Sequence, residues 1–162
     1  MAKQNDQQNT PRGDEERLAG ISEYLTPVLH DLIALAVNGK QAHWHVRGEN
    51  FVDVHEFLDV VIAHAQESGD TVAERLVTLA VPVDARIGTV AANASNPEML
   101  VGFQQSEVTV REIVAQLDAT LATIYRAIDG LADIDAVSQD LVIAAAQQLD
   151  KDRWFLSSHY AK

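Results

Sequence analysis

The sequence predicts an all-α protein, a four-helix bundle with one long crossover connection. Of its 162 residues, 47% are hydrophobic, while aromatic residues and glycines are few, a balance that favours helices over sheets. Apolar residues recur at three- and four-residue steps in four long segments, which is the periodicity of amphipathic helices. Between the second and third segments, prolines and glycines interrupt this periodicity and predict a long crossover.

The chain divides into a short tail and one domain. Residues 1–16 are polar and rich in Gln and Asn, so we interpret them as a flexible N-terminal tail. Residues 17–162 are predicted to form a single bundle domain, because this length suits one hydrophobic core. The apolar runs fall short of the roughly 20 residues that a membrane helix needs, and residues 1–20 lack a signal-peptide segment. The absence of cysteine fits a reducing compartment, so we expect a cytoplasmic protein.

The first two helices are predicted on either side of a short turn. The first apolar stripe runs from Leu18 to about His45. Pro27 lies within it, so a break at Thr26, with the proline in the first turn of a new helix, is an alternative. A turn is expected at residues 47–50, and the second helix is predicted from about Val52 to Ala80.

The crossover and the last two helices complete the predicted bundle. Residues 81–105 form the crossover, with room for a short helix. The third helix is predicted from about Ser106 to Ala127, ending near Gly130, and the fourth starts near Asp135 and continues to the C-terminus. One long crossover distinguishes this arrangement from a simple up-down-up-down bundle.

Five side chains of metal-binding type stand out, namely His43, His55, Asp59, Asp70 and Glu74. His43 ends the first predicted helix and His55 lies in the first turn of the second, so the turn between them can bring both imidazoles to one end of a helix pair. Imidazole and carboxylate ligands together suit iron, and also zinc or manganese.

The spacing along the second helix predicts a site shared between two chains. Asp70 and Glu74 lie about 60° and 100° around the helix axis from His55, so all three point to one broad side. Asp70 is nevertheless roughly 22 Å along the axis from His55, much further than metal–ligand bonds reach. Two copies of the helix packed antiparallel about a two-fold axis would bring His55 of one chain to the acidic pair of the other, giving two equivalent sites.

The pattern over residues 43–75 resembles the signature of the Dps-type mini-ferritins, members of the ferritin-like superfamily. It reads HWHVxGxxFxxxHxxxD from His43, followed by DxxxER from Asp70. The resemblance covers about residues 25–159 and implies a ferritin-like four-helix bundle with one long crossover. It also implies a homo-oligomer, a hollow dodecamer whose metal centres lie at dimer two-fold axes.

The resemblance further implies a ferroxidase, an oxidoreductase that acts on ferrous iron. His43 and His55 would be ligands from one subunit, and Asp70 and Glu74 ligands from its partner. Iron would be oxidised there by hydrogen peroxide, or by oxygen, and stored as ferric mineral inside the cage. The expected purpose is protection against oxidative damage.

Other residues receive roles from the same resemblance. Asp59 would support the metal centre, Trp44 would lie close to it, and Asp140 would line a three-fold pore that admits cations. His45 departs from the usual asparagine of the signature, and whether it is a ligand stays open. The chain lacks the Glu-x-x-His pair with which larger ferritins build a centre inside one subunit.

Charge bears on the alternatives to an iron-oxidising function. The formal net charge of −12 opposes binding to a phosphate backbone, and the N-terminal segment lacks the lysine-rich character of family members that bind DNA. We therefore expect DNA binding to be weak, and a nucleoid DNA-binding protein is one alternative function. Metal-assisted hydrolysis of amides or esters at the His and carboxylate site is another.

Overall fold

The computed structural model describes residues 15–159 of the chain. These residues form, in chain order, the elements α1 (Glu15–His45), β1 (Val46–Arg47), α2 (Phe51–Thr78), α3 (Ile87–Asn93), β2 (Gln104–Gln105), α4 (Ser106–Leu131) and α5 (Ala136–Ser157). The prediction of an all-α bundle whose long crossover carries a short helix is confirmed.

The four long helices enclose one hydrophobic core. Helix α1 packs against α2 and α4, and α5 packs against α4 and α2, so that α1 and α5 lie diagonally opposite each other. Each long helix contributes large apolar side chains that are fully shielded from solvent, among them Leu32, Leu58, Leu117 and Leu149. Burial of these side chains is the main source of stability in such a bundle.

Helix α1 continues without interruption through Pro27, so the predicted alternative of a break at Thr26 is wrong. Pro27 is exposed, whereas Leu25 and Val28 are fully buried on either side of it. Packing of these neighbours holds the helix together despite the backbone hydrogen bond that proline cannot donate. The helix begins at Glu15 and thus includes the last two residues of the predicted tail; residues 1–14 lie outside the described residues.

Polar side chains fix the crossover to the bundle. The buried carboxylate of Asp31 on α1 accepts hydrogen bonds from the backbone nitrogen of Ser95 at 2.7 Å and from its hydroxyl at 2.6 Å. On α4, the amide nitrogen of Gln116 donates to the carbonyl of Pro97 at 2.6 Å. His30 of α1 donates from Nε2 to the carbonyl of Asp84 at 3.0 Å. The crossover is therefore held in one position along α1 and α4.

Asp135 is the N-cap of α5 and joins three helices. It accepts hydrogen bonds from the backbone nitrogen of Ser138 at 3.0 Å and from its hydroxyl at 2.6 Å, as expected for an aspartate at this position. It also pairs with Arg75 of α2 at 2.6 Å and with Arg17 of α1. Burial alone would raise the pKa of Asp135, but the bonds from Ser138, Arg75 and Arg17 together hold that pKa well below its ordinary value.

The connection from α1 to α2 is a tight turn. Strands β1 and β2 form a short parallel pair in which Val46 lies opposite Gln104. Gly48 has a φ of 96°, in the region that favours glycine, and a Cβ atom there would overlap the side chain of Gln105. This turn returns the chain directly from the end of α1 to the start of α2. Among residues 15–159, none of the helices has the length and hydropathy to span a bilayer.

Candidate metal centre

His43 and His55 form a reciprocal pair at the end of α1 and the start of α2. Nδ1 of His43 lies 3.0 Å from the carbonyl oxygen of His55, and Nδ1 of His55 lies 3.0 Å from the carbonyl oxygen of His43. The two rings stack with their centroids 3.7 Å apart. His43 is buried, with 8% of its surface exposed, and His55 is half-buried against the ring of Phe51. The main chain of each helix thus orients the imidazole that the other helix carries.

This pairing decides which ring nitrogens are available to a metal ion. A carbonyl oxygen only accepts hydrogen bonds, so Nδ1 must carry the proton in both rings. In the neutral imidazoles Nε2 then has a free lone pair, which is the form that binds metal ions. Orientation of a ligating histidine through its other nitrogen is the usual arrangement at metal sites. The two histidines therefore present a matched pair of nitrogen donors.

Asp59 and Lys40 lie beside the histidine pair. Oδ1 of Asp59 is 3.3 Å from Nδ1 of His43 and 2.7 Å from the ammonium of Lys40. The hydrogen bond from Lys40, reinforced by the nearby His43 and His55, lowers the pKa of Asp59 from its ordinary value. Lys40 was not among the sequence candidates, although its position one turn before His43 places it on the same side of α1.

Replacing Lys40 by methionine is expected to strengthen metal binding at a centre that includes the histidine pair by about two- to fivefold. The change removes a positive charge beside the site, and exposed charge pairs of this kind contribute up to about 1 kcal/mol. Calorimetric titration with Zn²⁺, a redox-inert probe, would measure the change. Weaker Zn²⁺ binding in the variant would instead show that Lys40 is needed to position Asp59.

Asp70 and Glu74 lie on the same helix as His55 but far from it. Helix α2 is unbroken from Phe51 to Thr78, so the axial separation of roughly 22 Å between His55 and Asp70 holds. Both acidic side chains are exposed. Within residues 15–159 of one chain, no three His, Asp or Glu side chains come close enough to hold a metal ion. One chain thus supplies a pair of nitrogen donors at one place and a pair of carboxylates at another.

The remaining predicted site residues are placed as follows. Trp44, next to His43, is largely exposed on α1. His45 turns away from the histidine pair: its Nδ1 donates to the carbonyl of Gln41 at 2.8 Å and its ring contacts Phe103. Asp140 is exposed near the start of α5. Their predicted roles at the centre and at a pore depend on neighbouring subunits.

Comparison with known proteins places this geometry in a family. The ferritin-like domain family matches residues 22–162. The structure of Dps from Microbacterium arborescens in the high iron form has a TM-score of 0.89 and 47% sequence identity to this chain. That match covers 93% of this chain and 98% of the other. The chain belongs to the Dps family of the ferritin-like superfamily. The resemblance inferred from the residue pattern at positions 43–75 is therefore confirmed.

Two curated Dps relatives are named DNA protection during starvation protein. The protein from Agrobacterium fabrum is 33% identical over 143 residues, covering 83% of this chain and 84% of its own length. The protein from Mycolicibacterium smegmatis is 30% identical over 153 residues, covering 92% and 81%. Because these relatives are named for DNA protection, they give no support to the prediction that this Dps protein binds DNA only weakly.

Proposed function

We propose that this Dps protein is a ferroxidase and iron-storage protein whose centres form between two subunits of a homodimer. The observation that carries the proposal is that the nitrogen donors and the carboxylate donors of one chain lie far apart, at the two ends of α2. His43 at the end of α1 and His55 at the start of α2 present two Nε2 atoms. Asp70 and Glu74 lie exposed on the same side of α2 as His55, about four turns further on. Neither half is a metal site alone.

An antiparallel dimer would join the two halves. The two-fold axis would bring the histidines of each subunit to the carboxylates of the other and make two identical centres. Val52 and Val77 lie within about 60° of His55 around α2, and both are exposed. Apolar side chains on the face that carries the ligands favour its burial against a second copy. Twelve such subunits are proposed to form the storage cage.

Ferrous iron is the substrate of the proposed reaction. Two ferrous ions give up one electron each to one hydrogen peroxide molecule, whose O–O bond breaks, and two protons complete two molecules of water. The histidine nitrogens and the carboxylates would bind the ferrous ions, and the negative carboxylates would favour the more highly charged ferric product. Asp59 would support the centre through His43. In a cytoplasmic location, which we also propose, this reaction would remove iron and peroxide before they form radicals.

Removing the acidic pair tests the proposal. The double variant Asp70→Asn, Glu74→Gln is expected to lose peroxide-dependent oxidation of ferrous iron by about 100-fold, because the carboxylate half of every centre becomes uncharged. Absorbance of ferric iron after anaerobic ferrous loading and peroxide addition would report the rate. Glu107→Gln, which removes an exposed carboxylate on α4, is the control. Unchanged oxidation in the double variant would refute the proposed centre.

We also propose that DNA binding by this protein is weak at physiological salt. The net charge of −12 per chain repels a phosphate backbone, and assembly multiplies that charge. A gel-shift assay with duplex DNA at low and at physiological salt is expected to show little retardation at either. A stable complex at physiological salt would contradict this proposal and would show that the protein binds DNA directly.

A further inference from the structure

His64 and Asp152 form a polar contact between α2 and α5 that the proposed metal centre does not use. Nδ1 of His64 lies 2.8 Å from Oδ2 of Asp152. The side-chain amide of Gln148, one turn earlier on α5, donates to the other carboxylate oxygen of Asp152 at 3.3 Å. Asp152 is only 2% exposed, so its carboxylate lies inside the bundle with a hydrogen bond to each oxygen.

The buried carboxylate of Asp152 favours a positive charge beside it, because a buried anion without a cationic partner is costly. Within residues 15–159, neither a lysine nor an arginine pairs with this carboxylate, and the imidazole of His64 is its ionisable partner. Either a proton or a metal ion on the far nitrogen of that ring would supply the positive charge. The pair therefore favours a cation at Nε2 of His64.

Nε2 of His64 is available to such a cation. A carboxylate only accepts hydrogen bonds, so Nδ1 carries the proton, and Nε2 of the neutral ring has a free lone pair. The side chain of His64 is 26% exposed. Within residues 15–159, its Nε2 has no hydrogen-bond partner and is open to solvent. A carboxylate on the other ring nitrogen raises the basicity of a ligating imidazole, as is common at metal sites.

Glu67 supplies an oxygen donor beside His64. It lies three residues further along α2 and is exposed, and side chains three residues apart on a helix are neighbours. Imidazole and carboxylate donors together suit divalent transition metals such as Zn²⁺ and Fe²⁺, whereas Mg²⁺ prefers oxygen donors alone. Since no group of three His, Asp or Glu side chains forms among the described residues, water would fill the other coordination positions.

His64 and the proposed ferroxidase centre lie on different sides of α2. His64 follows His55 by nine residues, which places it about 180° around the helix axis and about 14 Å along it. His64 faces α5 of its own chain, whereas His55 faces the end of α1. An ion at His64 would therefore not share ligands with an ion at His55.

We infer that His64 and Glu67 form a second metal site, for a divalent transition-metal cation bound through Nε2 of His64. Asp152 acts as a positioning residue, because its buried carboxylate orients the imidazole and balances the charge of the ion. Both protein ligands come from one chain, in contrast to the shared centre proposed above. This inference goes beyond the proposed function and does not depend on it.

Protection of His64 from chemical modification tests the site. Diethyl pyrocarbonate reacts with an unprotonated imidazole nitrogen, and mass spectrometry of peptides identifies the modified residue. Zn²⁺ added to the full chain is expected to abolish modification of His64, because the bound ion occupies Nε2. Mg²⁺ is expected to leave the modification unchanged. Reactivity of His64 that stays the same with Zn²⁺ in large excess would overturn the inference.

Three substitutions distinguish metal ligation from general attraction by negative charge. Glu67→Gln and Asp152→Asn are each expected to raise the Zn²⁺ concentration that half-protects His64 by about tenfold, since one removes a ligand and the other removes the carboxylate on Nδ1. Glu56→Gln is the matched control. It removes the same charge from the exposed surface of α2, but eight residues, or about 12 Å along the axis, from His64.

The control and the exposed position of Glu67 keep the test decisive even if Asp152→Asn impairs folding, which circular dichroism would detect. Equal effects of Glu67→Gln and Glu56→Gln would overturn the inference, because they would show attraction by charge alone. His55→Ala, which disrupts the proposed ferroxidase centre, is expected to keep full Zn²⁺ protection of His64. Loss of that protection would also overturn the inference. Because ferrous oxidation is measured separately, failure of this site is distinguishable from failure of the proposed function.

Discussion

Replacing His55 by alanine is expected to lower the rate of peroxide-dependent ferrous oxidation by about 100-fold, and Glu74→Ala is expected to do the same. A mixture of the two variants, unfolded together in urea and refolded, should recover activity. A mixed dimer of the proposed kind contains one His55→Ala chain and one Glu74→Ala chain. One of its two centres lacks both residues. The second centre is intact, because it takes His55 from the Glu74→Ala chain and Glu74 from the His55→Ala chain. Random pairing makes about half of the dimers mixed, so about a quarter of the unmodified rate should return. The rate at which ferric absorbance increases, divided by the rate for the unmodified protein, gives this fraction directly.

The activity of the mixture distinguishes a centre shared between two chains from a centre within one chain. If His55 and Glu74 acted within the same chain, each chain in the mixture would lack one of them and no activity would return. His55→Ala refolded alone is the control for recovery caused by refolding itself. A mixed sample that stays as inactive as either variant would refute the intersubunit centre, whatever the iron content of the protein.

Replacing Asp135 by asparagine is expected to lower the free energy of unfolding at pH 7 by about 2–4 kcal/mol. The substitution keeps the size of the side chain but removes the buried negative charge that pairs with the guanidinium groups of Arg17 and Arg75. Because the folded-state pKa of Asp135 is lowered, its contribution is fully present above the ordinary pKa of 3.8 and is lost as the pH falls toward the folded value. The difference between the two proteins should therefore shrink as the pH falls below about 3.8.

Urea unfolding at a fixed protein concentration, at pH 7 and pH 3, would measure this difference. Asp133→Asn is the matched control, because Asp133 lies two residues earlier and is exposed. A difference of the same size at both pH values would mean that the carboxylate charge of Asp135 is not the source of the stability.

The sequence predicted the helices well because their signals are local. Apolar periodicity located four long helices, and the predicted start of the fourth near Asp135 agrees with the N-cap of α5. The Pro27 alternative failed because burial of Leu25 and Val28 is a tertiary effect that a local rule does not contain. The two ionic partners of Asp135 were missed for the same reason, since Arg17 and Arg75 are distant in sequence.

In the candidate site, too, the features that depend on local sequence were predicted, and those that depend on tertiary packing were not. The histidine and carboxylate spacing along α2 follows from helix geometry, and α2 is continuous as that argument required. The reciprocal bonds between His43 and His55 depend on how the turn at Gly48 folds back, which residue types alone do not determine. The contact between His45 and Phe103 depends on the path of the crossover, so it could not be predicted from the sequence either.

The reciprocal hydrogen bonds between His43 and His55 have a consequence for the proposed binding of metal ions. Each imidazole is oriented by main-chain oxygen of the opposite helix, so the nitrogen donors are set when α1 and α2 pack, before any ion arrives. If iron binds at the proposed centre, its uptake would require no refolding, and its removal by a chelator would leave the bundle intact. The proposed centre could therefore lose and regain its metal ions repeatedly, unlike small metal-dependent folds that unfold when their ion is withdrawn.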